Sequence, residues 1–421
     1  MRLVALALSM ILALSGPAQA EMRGHGGPVR ALAIAPSGEI AVSGSFDNRA
    51  ILWDLSADAA AQVLRHHDGP VNAVAILPDG RIATGGADGR VALWRPGAPD
   101  PERVEAAHEA PIVGLAVSPD GATLASAAWD GTVRLMPLNE GEARVLRGHD
   151  GNVNAVAFAP DGTPVSAGYD ATLRIWEGDT PRTVTLPTPL NALAIAPDGE
   201  IVAGGADGVV RLLSPEGALL AEIETQPLPI IALAVSPDGA QVAAATIRGS
   251  VAIVDRAARE TLFTLVGPGL PVWSLAYAPD GEILYTGGGD AVVRRWNAAT
   301  GEPIGAAVIG AAKDPLARFT GSRGAEVYRA CAACHTLSAD EGERAGPTLA
   351  GIFGRRIATA EGYDYSPALT RMDIVWTPET VAALFEHGPT AYTPGSKMPE
   401  QRILDPADRQ ALVEFLAEAT R

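Results

Sequence analysis

The chain is poor in cysteine, lysine and aromatic residues. Only two cysteines occur in 421 residues, so no disulfide framework holds the fold together. Aromatics amount to only 5%. Of 32 basic residues only Lys313 and Lys397 are lysines, and 49 acidic residues leave a formal charge of −17. That sign excludes a general nucleic-acid binder, which needs a basic face, and disfavours adhesion to anionic membranes. No apolar run reaches the ~20 residues that span a bilayer. A Gly-rich phosphate loop, a Gly-x-Ser-x-Gly elbow and a His-Glu-x-x-His pair are all missing, and their chemistries with them. What remains is 47% hydrophobic and 19% charged, enough to bury two or three domains and too apolar for global disorder.

The first twenty residues read as a targeting segment. Arg2 precedes an apolar run from Leu3 to Leu14, Gly16 and Pro17 break it, and Ala18-Gln19-Ala20 offers small-x-small to a signal peptidase. Cleavage is expected before Glu21. The short signal and the high alanine content point to a bacterial periplasm, with no stable membrane insertion afterwards.

Seven repeats follow. A turn tetrad recurs as Ala35-Pro36-Ser37-Gly38, Leu77-Pro78-Asp79-Gly80, Ser118-Pro119-Asp120-Gly121, Ala159-Pro160-Asp161-Gly162, Ala196-Pro197-Asp198-Gly199, Ser236-Pro237-Asp238-Gly239 and Ala278-Pro279-Asp280-Gly281. Proline presets φ for such a turn and glycine accepts positive φ. An alternating apolar strand, such as Val29–Ile34, precedes each. A turn residue and a bulky apolar one six positions on run in phase, as in Asp47/Trp53, Asp88/Trp94, Asp170/Trp176 and Asp290/Trp296. Early repeats also open on a histidine: His25, the doublet His66-His67, His108 and His149. A spacing of roughly 40 residues is the length of a four-stranded propeller blade. On these markers the region resembles the WD-repeat family, although only Trp53-Asp54 keeps the literal dipeptide and repeats 5 and 6 are the most degenerate. The resemblance implies a seven-bladed β-propeller. Its outermost strands are expected within each repeat, the last at Ile304–Ile309. The few residues after cleavage are too short for a full strand, so the ring is expected to close by face packing without strand exchange between the chain ends. The in-phase histidines and aspartates read as turn residues that satisfy buried backbone, not as a metal site.

The tail is different. Both cysteines lie in Cys331-Ala332-Ala333-Cys334-His335, the attachment signature of c-type haem. On one helical face, positions i, i+3 and i+4 let two thiols form thioethers at a porphyrin edge while the imidazole reaches the iron. A thioredoxin-like pair or chance are the other readings; the first would need a βαβ pattern, which is missing. An electron-transfer haem takes a second axial ligand from Met or His. Met398, Met372 and His387 are available. Met398 sits in the turn-rich Pro394-Gly395-Ser396-Lys397-Met398-Pro399 and is preferred.

With Gly324-Ala325-Glu326-Val327-Tyr328, Gly346-Pro347-Thr348-Leu349, Gly351 to Arg355, Gly362 to Ser366 and Trp376 in order around that signature, the tail resembles a class I cytochrome c of the mitochondrial and bacterial c2 type. The resemblance implies a small all-α domain with one covalent haem c and His335 and Met398 as axial ligands. It also implies that the Pro347 carbonyl accepts from the His335 ring, that Arg355, Tyr365, Trp376 and Ser396 hold the haem propionates, and that Gly324 lets the first helix approach the last. The last helix is legible from its residues, with Asp405 as N-cap, Pro406 at N1 and Leu412, Val413, Phe415 and Leu416 on its apolar face. Leu384 and Glu400 replace aromatics, and the stretch 386–392 is one residue longer and lacks lysines. The basic ring around the haem edge is thereby lost, so steering needs a basic partner or another surface.

The expected division is a signal at 1–20, a propeller at 21–312, a linker at 313–317 and the haem domain at 318–421. The expected function is one-electron transfer to an unknown periplasmic redox protein, with the propeller as docking platform and no enzymatic activity required. The alternative is a dehydrogenase whose ring oxidises a small molecule and whose haem drains the electrons. A scaffold with a vestigial haem ranks below both.

Overall fold

The computed structural model describes residues 21–304 other than 179 and 268. Beyond them it describes 316–420 other than 320, 330, 333–334, 339–345, 361–362, 364, 395, 397, 399–401 and 404. The expected signal, the start of the linker and Cys334 lie outside the described residues.

Seven four-stranded antiparallel sheets make up residues 21–297. Blade 1 shows the plan, with strands Val29–Ile34, Ile40–Ser45, Arg49–Asp54 and Ala59–Arg65 running from the innermost outward. The Pro-x-Gly turns join the first strand to the second. In blade 2, Gly80 takes φ 83° and its N–H donates to the Leu77 carbonyl at 2.9 Å. Every innermost strand shifts register at its start, from Val29/Ala31 in blade 1 to Val272/Ser274 in blade 7. Such bulges add twist, which fans the blades. Small residues on the second strand let blades meet: a Cβ on Gly85 would lie 2.7 Å from Ile112 of the next blade. The apolar core is divided accordingly into clusters that bridge neighbouring blades.

The ring closes by strand exchange, contrary to the expectation from length. Glu21–Arg23 pairs antiparallel with Val292–Asn297, with Glu21 opposite Arg294, Met22 opposite Val293 and Arg23 opposite Val292. It thus takes the outer seat of blade 7 that was assigned to Ile304–Ile309. Three residues suffice because Met22 is buried beside Val29, Trp53 and Val293, and Glu21 pairs with Arg294 at 3.2 Å. Of the stretch expected as that strand, residues 305–309 lie outside the described residues.

The tail is helical: α1 (Arg323–Tyr328), α2 (Pro367–Thr370), α3 (Pro378–His387), α4 (Pro389–Tyr392) and α5 (Pro406–Ala419). The starts of α1, α2, α3 and α5 carry side-chain caps, from Ser322, Ser366, Thr377 and Asp405. The Asp405 carboxylate accepts from the Ala407 N–H at 2.8 Å, and Pro406 opens α5. Thr377 and Thr380 form a reciprocal capping box at α3. Gly324 brings α1 against α5; a Cβ there would sit 2.1 Å from the Ala411 carbonyl oxygen. Leu316 and Tyr328 join Leu412, Val413, Phe415 and Leu416 in one core, and Phe319 meets Phe415 edge-on at 4.9 Å. Among the described residues no helix is long and apolar enough to cross a membrane.

Candidate cofactor crevice

A crevice of about 1350 Å³, open space at its mouth included, is lined by Cys331, His335, Met398 and a largely apolar wall. Cys331 and His335 reach it from one turn. The His335 N–H donates to the Cys331 carbonyl at 3.0 Å, an i to i−4 bond that sets thiol and imidazole on one face, and the Cys331 N–H donates to the Tyr328 carbonyl at 2.7 Å. The buried Tyr328 hydroxyl fastens this turn by donating to the His335 carbonyl at 3.0 Å.

A bond to a backbone carbonyl orients the imidazole. His335 Nδ1 lies 2.8 Å from the Pro347 carbonyl oxygen. A carbonyl only accepts, so the proton is on Nδ1 and Nε2 is the nitrogen that carries the lone pair. Gly346 makes room for the ring: a Cβ at that position would lie 2.4 Å from His335 Cε1. On the opposite strand of chain, the Met398 N–H donates to Ser396 Oγ at 3.1 Å and the Ser396 N–H to the Thr393 carbonyl at 3.0 Å. This turn carries the thioether to the cavity.

Arg355, Tyr365, Trp376 and Ser396 all line the same space. Arg355 is anchored by its terminal nitrogens to the Thr348 carbonyl at 2.6 Å and the Ala350 carbonyl at 2.9 Å. Burial pushes its pKa down, and the nearby Tyr365 partly offsets this. The Arg355 and Trp376 segments are tied together, since Trp376 N–H donates to the Arg355 carbonyl and Gly354 N–H to that of Trp376. Met372 and His387, the other ligand candidates, do not line the cavity. His387 is exposed at the end of α3, with its ring 6.4 Å from that of Tyr392.

The donor set is a thiol, an imidazole nitrogen and a soft thioether, gathered around one apolar cavity. That chemistry fits a haem held by a thioether bond and two axial ligands. The fit rests on Cys331, His335 and Met398, because Cys334 lies outside the described residues. Sequence reading missed Thr393, the wall residues Ile357 and Val381, and three lining residues from the propeller: Phe46, Asn48 and Pro70.

The in-phase residues of the ring form closed chains of hydrogen bonds. In blade 1, Trp53 Nε1–H donates to Ser43 Oγ at 2.7 Å, Ser43 Oγ lies 2.7 Å from His25 Nε2, and His25 Nδ1 lies 3.0 Å from Asp47. Blades 2 and 4 repeat this with Trp94, Thr84, His67 and Asp88, and with Trp176, Ser166, His149 and Asp170. His66, the out-of-phase member of the doublet, packs edge-on to Trp94. No group of three metal-ligating His, Cys, Asp or Glu residues occurs among the described residues.

Comparison with known proteins agrees with both halves. The cytochrome c family profile matches residues 321–420. The WD domain, G-beta repeat profile matches 16–54, 60–95, 100–135, 141–177, 181–214 and 259–297. The unmatched interval 215–258 contains most of a complete sixth blade. Cytochrome c of Arabidopsis thaliana is 40% identical over 100 residues, 24% of this chain and 88% of that protein. Those of Cochliobolus lunatus and Ulva intestinalis are 39% and 38% identical, over 24% of this chain and 92% and 89% of theirs.

Proposed function

Since the chain belongs to the cytochrome c family through its C-terminal domain and to the WD-repeat family through its ring, we propose that it is an exported electron carrier. In this reading it holds one covalent haem c and docks its partners through the propeller. When bound, the haem supplies a reversible one-electron change at iron. The chain's own residues do the rest. Cys331 and Cys334 would anchor the group, and His335 Nε2 and Met398 Sδ would ligate its iron. The Pro347 carbonyl fixes the imidazole tautomer and strengthens the ligand. Arg355, Tyr365, Trp376 and Ser396 neutralise and bind the propionates, and the apolar wall keeps water from the iron. Residues 1–20 carry the export signal to the periplasm. The partner is a basic redox protein, complementary to a chain of formal charge −17.

The observation that carries this reading is the convergence of an imidazole with Nδ1 pinned to a carbonyl and a thioether from residue 398 on one apolar cavity. The test is the visible spectrum of Met398→Ala purified from the periplasm. The sulfur-to-iron band should vanish while the haem stays covalently attached in denaturing gels. Persistence of the band reassigns the ligand, and a colourless wild-type protein overturns the proposal.

A further inference from the structure

The crevice is not walled by the helical domain alone. Phe46 and Asn48, from the turn between the second and third strands of blade 1, and Pro70, just ahead of blade 2, line it as well. The repeat supplies an internal reference for these positions. The residues in phase with Phe46 are Ala87, Trp129, Tyr169, Ala206, Ile247 and Gly289. Trp129, Tyr169 and Ile247 are 44%, 59% and 40% exposed, whereas Phe46 is only part-exposed. Its ring also meets Trp273 edge-on at 6.3 Å, and the Arg30 guanidinium lies 5.0 Å from the Trp273 ring centre. Phe46 is thus held from the ring side and faces the crevice on the other.

The position of Asn48 is still more telling. Its counterparts are Gly89, Gly131, Ala171, Gly208, Gly249 and Ala291. All seven turns need a left-handed residue here, and Asn48 adopts φ 67°, which asparagine tolerates and glycine takes freely. Only the blade that meets the crevice carries a polar side chain at this point.

We propose that the blade 1 turn is part of the haem site: Phe46 screens the crevice mouth from water and Asn48 adds a carboxamide to its polar lip, so the propeller tunes the cofactor in cis. This rests on the haem reading above. A drier mouth disfavours the more highly charged oxidised iron and raises the reduction potential.

The substitutions that test this come from the chain's own blades. Phe46→Ala installs the residue of blades 2 and 5, and Asn48→Gly that of blades 2, 3, 5 and 6, so the turn conformation is retained. The full-length protein is titrated by spectroelectrochemistry, and imidazole binding to the oxidised form is timed. The double variant should keep its sulfur-to-iron band. Its oxidised-to-reduced ratio at fixed potential should rise about tenfold, a downward shift of about 59 mV for one electron, and imidazole should enter several-fold faster. Tyr169→Ala, at the same repeat position in blade 4, should change neither. Asn48→Gly alone gives a smaller shift of the same sign and serves should the double variant fail to fold. An unchanged potential and entry rate in a protein with an intact band, or an equal change in Tyr169→Ala, overturns the inference while sparing the haem reading. A wild-type protein without a haem band overturns both.

Discussion

At the scale of single residues, one donor–acceptor order recurs in the ring and decides its response to acid. Burial pushes His108 and His149 below the ordinary imidazole value, although Asp130 and Asp170 pull the other way. The aspartates are held low in turn. Burial raises Asp130 and Asp170, but bonds from Thr132, Thr172, the histidines and the backbone outweigh it. Neutral imidazole facing ionised carboxylate is therefore the native state. A histidine lowered on folding contributes stability above its unfolded value of about 6.5 and loses that contribution as pH falls through the folded value. A lowered aspartate does the same below about 3.9. Denaturant midpoints of the ring should thus be flat above neutrality and decline as pH falls below about 6.5, by at most about 1.4 kcal/mol per pH unit for each histidine. A midpoint that holds or rises as pH falls contradicts this arrangement. At this scale the sequence was legible wherever chemistry is local. The Cys-x-x-Cys-His spacing and the Pro347 carbonyl lie within a few turns of chain, and the Asp/Trp phase lies within one blade. Phe46 and Asn48 were not legible, because nothing in local periodicity links a blade 1 turn to a crevice nearly three hundred residues away.

At the scale of elements, the closing strand is where length misled. A six-residue strand is the norm in these blades, and three residues looked too few. What counts is the open edge of Val292–Asn297, which Glu21–Arg23 satisfies, and the buried socket that takes Met22 at 2% exposure. Met22→Asp would put an unpaired charge in that socket at a cost of about 3–5 kcal/mol. Unfolding followed by tryptophan fluorescence should show that loss in the ring, while the haem band in the tail is unaltered. A loss below 1 kcal/mol would mean that the socket is not what closes the ring. The other strands and α5 were legible because their signals are redundant. Turn tetrad, alternation and in-phase apolar residue coincide in each blade, and N-cap, N1 proline and apolar stripe coincide in the helix. The sixth blade forms even though its markers have decayed to Arg248 and Val254, since its neighbours supply the surfaces it packs on.

At the scale of the whole molecule, acidity governs encounter. With a formal charge of −17, exchange with a cationic metal–ammine complex should be fast in dilute buffer. It should slow as the Debye length contracts from about 30 Å to about 8 Å, while an anionic hexacyanide reagent should accelerate. Stopped-flow traces of haem oxidation across a salt series decide the matter; the same slope for both reagents would show that the reacting edge does not feel the net charge. The exchange of strands between the two ends of the toroid has a bearing on biogenesis. A ribosome must finish the partner segment, some 270 residues after the first, before the hoop can lock. Until then the growing arc carries a bare flank of unpaired amides and carbonyls, a template for mispairing with a neighbour. Latching therefore falls late in synthesis, just ahead of the haem-bearing tail, and a product truncated short of residue 292 would be an unsealed and sticky crescent.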